Sequence, residues 1–173
     1  MDRSKTSPSH GNEQPKIVVV TDPRPIAELA RSGRLDLLLA AGAVVIPDYV
    51  EALAVAQGAP LSDDIAEWMA VNAIRPGQAA WVVRPQIGTP RGPRLATEGG
   101  RLLPGGAHEH AVLRWIGEHV IGPALIVTEP GSMADLLAET PLPEGVGVVG
   151  LDGFVRIAED MVSEDAPGNQ PRP

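Results

Sequence analysis

Apolar residues fall along the chain in two alternating kinds of run. Five short blocks are apolar at nearly every position and too short for helices, so they predict strands, the first of them, rich in valine, buried on both faces of a parallel sheet. They are Ile17 to Asp22 (IVVVTD), Ala43 to Ile46 (AVVI), Ala79 to Val83 (AAWVV, expected nearer the sheet edge), Ala124 to Val127 (ALIV) and Val146 to Val149 (VGVV). Between them, longer stretches carry apolar residues at helical spacing. After a turn started by Pro23 and Pro25, IAELARSGRLDLLLAAG predicts two short helices broken at Ser32-Gly33, and DYVEALAVAQG predicts a helix ending at Gly58. DDIAEWMAVNAI, capped by Ser62 or Asp63 and closed at Arg75-Pro76-Gly77, sets Ile65, Trp68, Met69 and Ile74 on one stripe. AHEHAVLRWIGEHV buries Ala111, Val112, Trp115 and Ile116 and stops at Gly122-Pro123; SMADLLAET and DGFVRIAEDM, the latter capped by Asp152, complete the series.

Strands alternating with helices imply parallel pairing through right-handed crossovers. The expected fold is therefore α/β, a three-layer α/β/α sandwich around a central parallel sheet of about five strands. At 173 residues with 43% hydrophobic composition, one domain with a real core fits the chain better than two. Residues 1–15 and 163–173 are polar and aperiodic and read as disordered tails around a domain at 16–162. Within it, residues 84–106 form a long Pro- and Gly-rich loop carrying Arg84, Arg91, Arg94 and Arg101. A loop of that length is either functional or mobile, and its arginines either clamp phosphates or simply solubilise it.

Composition narrows the chemistry. A net charge of -8 argues against indiscriminate nucleic-acid binding, though not against a nuclease whose acids bind metal first. With one Phe, one Tyr and three Trp there are few rings on which bases can stack. The absence of cysteine excludes disulfides and thiolate metal sites. No apolar run approaches a membrane span and no signal-peptide core precedes the first strand, so a soluble, cytoplasmic protein is expected. Neither a cysteine nucleophile nor a GxSxG elbow supports a hydrolase or phosphatase of another kind.

Two strands end in the same chemistry, VVVTD at Asp22 and LIVTE at Glu129. At the carboxyl ends of parallel strands such acids face the crevice where ligands bind. If the strands are neighbours, two carboxylates about 4 Å apart repel by roughly 4 kcal/mol at an effective dielectric near 20, so a proton or a cation must intervene. Oxygen-only ligands point to Mg²⁺ or Mn²⁺. Glu109, in the first turn of its helix, is a third candidate acid, although helix starts favour acids in any case. Asp22 and Glu129 likewise have simple readings as turn or cap residues. His108 and His110 flank Glu109, but residues two apart on a helix point away from each other, which favours solvated histidines over a chelating pair. Gly145 to Gly147 lacks the strand-turn-helix setting of a nucleotide loop.

The order of these elements and several local phrases resemble the PIN-domain family, metal-dependent ribonucleases found as toxins of toxin-antitoxin pairs. IVVVTDPRPIAELARSGRLDLL resembles the family's opening strand, first acid and following helices, and VVIPDYVEAL its second strand and helix. HEHAVLRWI resembles the helix that begins with the third acid, ALIVTEP the strand that ends on the fourth, and VGVVGLDGFVRIAED the closing strand and helix. The resemblance spans roughly residues 16 to 161. It implies adjacent first and fourth strands and one or two Mg²⁺ or Mn²⁺ ions held by Asp22, Glu109 and Glu129. The family's second acid falls on Leu53, leaving Glu51 or Asp48 as the fourth acid of this chain; Pro23 and Pro130 depart from the polar residues the family places after its first and fourth acids. Two functions follow as expectations. One is a divalent-metal-dependent endoribonuclease acting on RNA, with Asp22, Glu109, Glu129 and Glu51 as catalytic acids. The other is a catalytically degenerate PIN-like domain that binds protein or RNA, with an antitoxin-like partner or a second copy of itself.

Overall fold

The computed structural model describes residues 16–56, 58–73, 81–87 and 107–164. The expected amino-terminal tail, residues 165–173 of the carboxyl-terminal one, Ile74, the Arg75-Pro76-Gly77 stop, the start of the third strand at Ala79 and Arg91, Arg94 and Arg101 of the long loop lie outside the described residues.

Five strands form one all-parallel sheet: β1 Ile17–Val20, β2 Ala43–Val45, β3 Trp81–Val83, β4 Ala124–Val127 and β5 Val146–Val149. Their spatial order is β3-β2-β1-β4-β5. The chain first builds outward from β1 through β2 to β3, then crosses back to lay β4 on the other side of β1. The expected three-layer α/β/α architecture is therefore what the chain forms, with β1 at its centre and β3 at an edge. Val18, Val19 and Val20 are wholly buried, as an apolar run covered on both faces requires.

Among the described residues the helices are α1 Pro23–Arg31, α2 Asp48–Ala54, α3 Ser62–Val71, α4 Ala107–His119, α5 Ser132–Glu139 and α6 Leu151–Glu164, with a 3₁₀ helix at Leu35–Ala41. Helix α1 packs against α2 and α3, α4 against α5, and the 3₁₀ helix against α6. Ile26, Leu38, Ile65, Ile116 and Phe154 carry their buried faces into a core shared with the central strands. Among the described residues, no helix is long and apolar enough to cross a membrane.

Local chemistry moved several boundaries. Pro23 and Pro25 lie inside the first turn of α1 rather than in a turn before it, because proline's missing N–H costs nothing where the helix has no acceptor to offer. The second short helix is 3₁₀, and α2 stops at Ala54, before Gly58. Neither Ser62 nor Asp63 caps α3; Leu61 does so from a left-handed backbone, φ 59°, with no side-chain cap. On α4 the buried face is Val112, Leu113 and Ile116, while Ala111 and Trp115 are half-buried. Asp152 sits within the first turn of α6 instead of capping it, and that helix runs to Glu164, past the expected start of the tail. Where β4 begins, a side chain on Gly122 would overlap the Glu144 carbonyl, so only glycine lets this segment approach the turn before β5.

Candidate functional site

The centre of the sheet delivers two acids to one edge. Val20 pairs with Val127, and the chain runs on by two residues in each strand to Asp22 and Glu129. Between the pair and the acids lie Thr21 and Thr128, both buried. The Thr21 amide and hydroxyl donate to the Val127 carbonyl at 3.1 and 3.2 Å, so the polar strand end is satisfied internally. Asp22 and Glu129 are only partly buried. They stand at the point where the strand order reverses, the usual ligand crevice of an open parallel sheet.

Asp22 has two occupations. Its extended backbone makes it the N-cap of α1, with Oδ1 accepting from the Arg24 amide at 2.8 Å. The same carboxylate receives the Arg24 guanidinium, Nε on Oδ1 at 3.3 Å and Nη2 on Oδ2 at 3.2 Å. Nη2 also donates to the Pro130 carbonyl at 3.4 Å, on the β4 side of the crevice. The hydrogen bond and charge of Asp22, with a further contribution from Glu129, hold the guanidinium's pKa above its ordinary value. One cation of the protein's own thus lies within the field of both strand-end acids. Glu129 in turn accepts from the Leu151 amide at 3.3 Å, satisfying a free donor at the start of α6. A hollow of about 470 Å³ opens here between Arg24, Glu28, Glu129, Pro130, Leu151 and Asp152.

Tyr49 bonds to the residue before Asp22. Its buried hydroxyl donates to the Thr21 carbonyl at 2.7 Å, pinning α2 to the end of β1. Burial pushes the phenol's pKa up, and the carboxylates of Glu109, Asp22 and Asp48 push it further. Those three acids are therefore within electrostatic reach of one hydroxyl, and Asp22 is common to both halves of the site.

The remaining candidates divide by what already holds them. Glu109 is half-buried in the first turn of α4. Asp48 is buried, and its Oδ1 accepts from the amides of Tyr49 at 3.0 Å and Ile87 at 3.2 Å. Glu51 accepts from Arg84 Nη1 at 2.9 Å, beside a separate hollow lined by Asp48, Ala52 and Gln86. Leu53 packs against the hydrophobic core. His110 is exposed, and the side chain of His108 lies outside the described residues. Among the described residues, no group of three His, Cys, Asp or Glu side chains is arranged to hold a metal ion.

Two site residues escaped sequence reasoning, Arg24 and Tyr49. For Arg24 there was a signal: a cation in the first turn of a helix opposes the dipole and needs a specific anion beside it, which the strand-end Asp22 supplies. Tyr49 carried no such mark, since a tyrosine at the start of a helix looks like any core ring. Comparison with protein-family models, curated proteins and solved structures finds no match for this chain.

Proposed function

We propose that the chain is a PIN-like, divalent-metal-dependent endoribonuclease of the toxin-antitoxin type, working at the crevice above β1 and β4. The observation that carries this reading is the register-matched arrival of Asp22 and Glu129 on neighbouring central strands. Their donor atoms are all oxygen, which suits Mg²⁺ or Mn²⁺. Mg²⁺ is commonly held through one or two carboxylates with water and substrate phosphates completing its shell, so a closed cage of three protein acids is not required. Asp22 and Glu129 would hold the ion, with Glu109 adding negative field from α4. Bound there, it supplies activation of water and charge stabilisation at the phosphate oxygens. The protein's own contribution is placement: Thr21 and Tyr49 fix the end of β1, and α1 and α6 fix the two carboxylates through their first turns.

A second reading, a non-catalytic PIN-like module that binds RNA, an antitoxin-like protein or a second copy of the chain, has its own support. Arg24 already neutralises Asp22, and Leu53 spends on core packing the position at which the family carries its second acid.

Calorimetric titration of the full chain with Mn²⁺ separates the two. Stoichiometric binding that weakens at least about tenfold in Asp22→Asn and in Glu129→Gln, with RNA cleavage abolished by EDTA, is the expected result, since each variant deletes one of two charged ligands. Absence of binding by the wild type and all variants, with no cleavage, leaves the module reading.

A further inference from the structure

The hydrogen bonds that Arg24 makes in the crevice all go to the strand ends. Its amide, Nε and Nη2 bind Asp22, and Nη2 also binds the Pro130 carbonyl beside Glu129. The side chain is nevertheless 61% exposed, while that of Asp22 is 24% exposed. A guanidinium on so open a surface is held weakly and can exchange partners, because exposed ion pairs gain little over water. Its planar fork is also the side chain best matched to a phosphate, which it binds bidentately as it binds a carboxylate.

We infer that Arg24 is an exchangeable counter-cation of the strand-end acids. In the free protein it holds Asp22 and competes with a divalent ion for that carboxylate; when RNA enters, its fork transfers to a backbone phosphate and leaves Asp22 to the ion. This inference rests on the metal-dependent reading above and adds a residue to which that reading gives no role. The exchange is balanced in charge: the guanidinium leaves one anion for another, and the carboxylate trades one cation for another. The first-turn position of Arg24 makes the move local, since its amide remains on Asp22 as the cap while only the side chain swings.

The two halves of the exchange predict effects of opposite sign from one substitution. In Arg24→Gln, removing the competitor tightens Mn²⁺ binding about two- to fivefold in calorimetry without RNA, the scale expected of an exposed ion pair. The same variant weakens binding of a 2′-O-methyl, uncleavable oligonucleotide in Mg²⁺, measured by fluorescence anisotropy, by at least about threefold and with a shallower salt dependence, because one phosphate contact is gone. Arg24→Lys, which keeps the charge and loses the fork, falls between wild type and Gln in both measurements. Circular dichroism of both variants verifies that α1 remains folded.

Wild-type Mn²⁺ binding that is unchanged or weaker in Arg24→Gln overturns the inference while leaving the metal site standing. Tighter Mn²⁺ binding with unchanged oligonucleotide affinity also overturns it, reducing Arg24 to a plain surface ion pair. Binding of Mn²⁺ by neither wild type nor Arg24→Gln removes the metal-dependent reading and the inference together.

Discussion

Asp22 and Asp48 both act on the Tyr49 hydroxyl, and their oxygens are employed differently. Asp48 is 8% exposed and accepts from the neighbouring Tyr49 amide and from the Ile87 amide, which holds the chain after β3 against the start of α2. Asp22 is more open and accepts from one cap amide and from a side chain that can leave. The difference teaches that a carboxylate near a crevice is available for chemistry only to the extent that the backbone has not already claimed it. By that criterion Asp48 is part of the scaffold and Asp22 is the residue a ligand can reach.

The hardest test of this contrast is truncation of both. Asp48→Ala takes the side-chain acceptor from the Tyr49 amide near the core and leaves the Ile87 amide on the Pro85 carbonyl alone, and unfolding in urea should show a loss of about 2 kcal/mol. Asp22→Ala removes one N-cap and should cost about 1 kcal/mol, and Asp22→Asn, which still caps, only a few tenths. Equal losses at the two alanine variants would erase the distinction.

The same contrast explains how far the sequence could be read. Uniformly apolar runs such as Val18 to Val20 have one physical outcome, burial between two layers, so the sheet, its parallel pairing and its edge strand were legible from pattern alone. The arrival of Asp22 and Glu129 at one sheet edge was legible too, because both follow their strands by the same two residues. Side-chain commitments were not. That Asp48 would be consumed by the amide of Ile87 depends on where a segment 39 residues away returns, which no local pattern encodes. The missed cap of α3 has a similar cause: the backbone at Leu61 turns left-handed before Ser62 can serve. Glu51 drew attention because it lies two positions from Leu53, where the resemblance puts the second acid, yet its partner, Arg84, comes from the end of β3.

Tyr49 joins the two regions and offers a smaller test. Tyr49→Phe removes its hydrogen bond to the Thr21 carbonyl and should cost about 1 kcal/mol near neutral pH. Because the folded phenol's pKa is raised above its ordinary value, the folded state keeps a proton that the unfolded chain releases. That stabilising difference is fully present below a pH of about 10 and is lost as pH rises from there toward the folded pKa. This is the chain's single tyrosine, so no other phenol contributes to the same limb. Urea midpoints measured from pH 9 to 11.5 should fall more steeply for the wild type than for Tyr49→Phe. Parallel curves would mean that the hydroxyl is not shielded as its burial requires.

Glu51 gives the smallest effect and the sharpest discrimination. Its carboxylate is paired with Arg84, whose side chain is 43% exposed, and such pairs contribute little. Glu51→Gln should therefore leave stability within about 0.5 kcal/mol of wild type. The carboxylates that act on the Tyr49 hydroxyl are those of Glu109, Asp22 and Asp48, whereas Glu51 faces a hollow shared with Arg84 and Gln86. Mn²⁺ affinity should then be unchanged in Glu51→Gln, against the large loss expected in Asp22→Asn. A comparable loss in both would mean that α2 presents Glu51 to the crevice when the ion binds. The fourth acid would then come from a residue whose free-state partner is a cation, as it is for Asp22, and the line between scaffold and site would run through α2 instead of beside it.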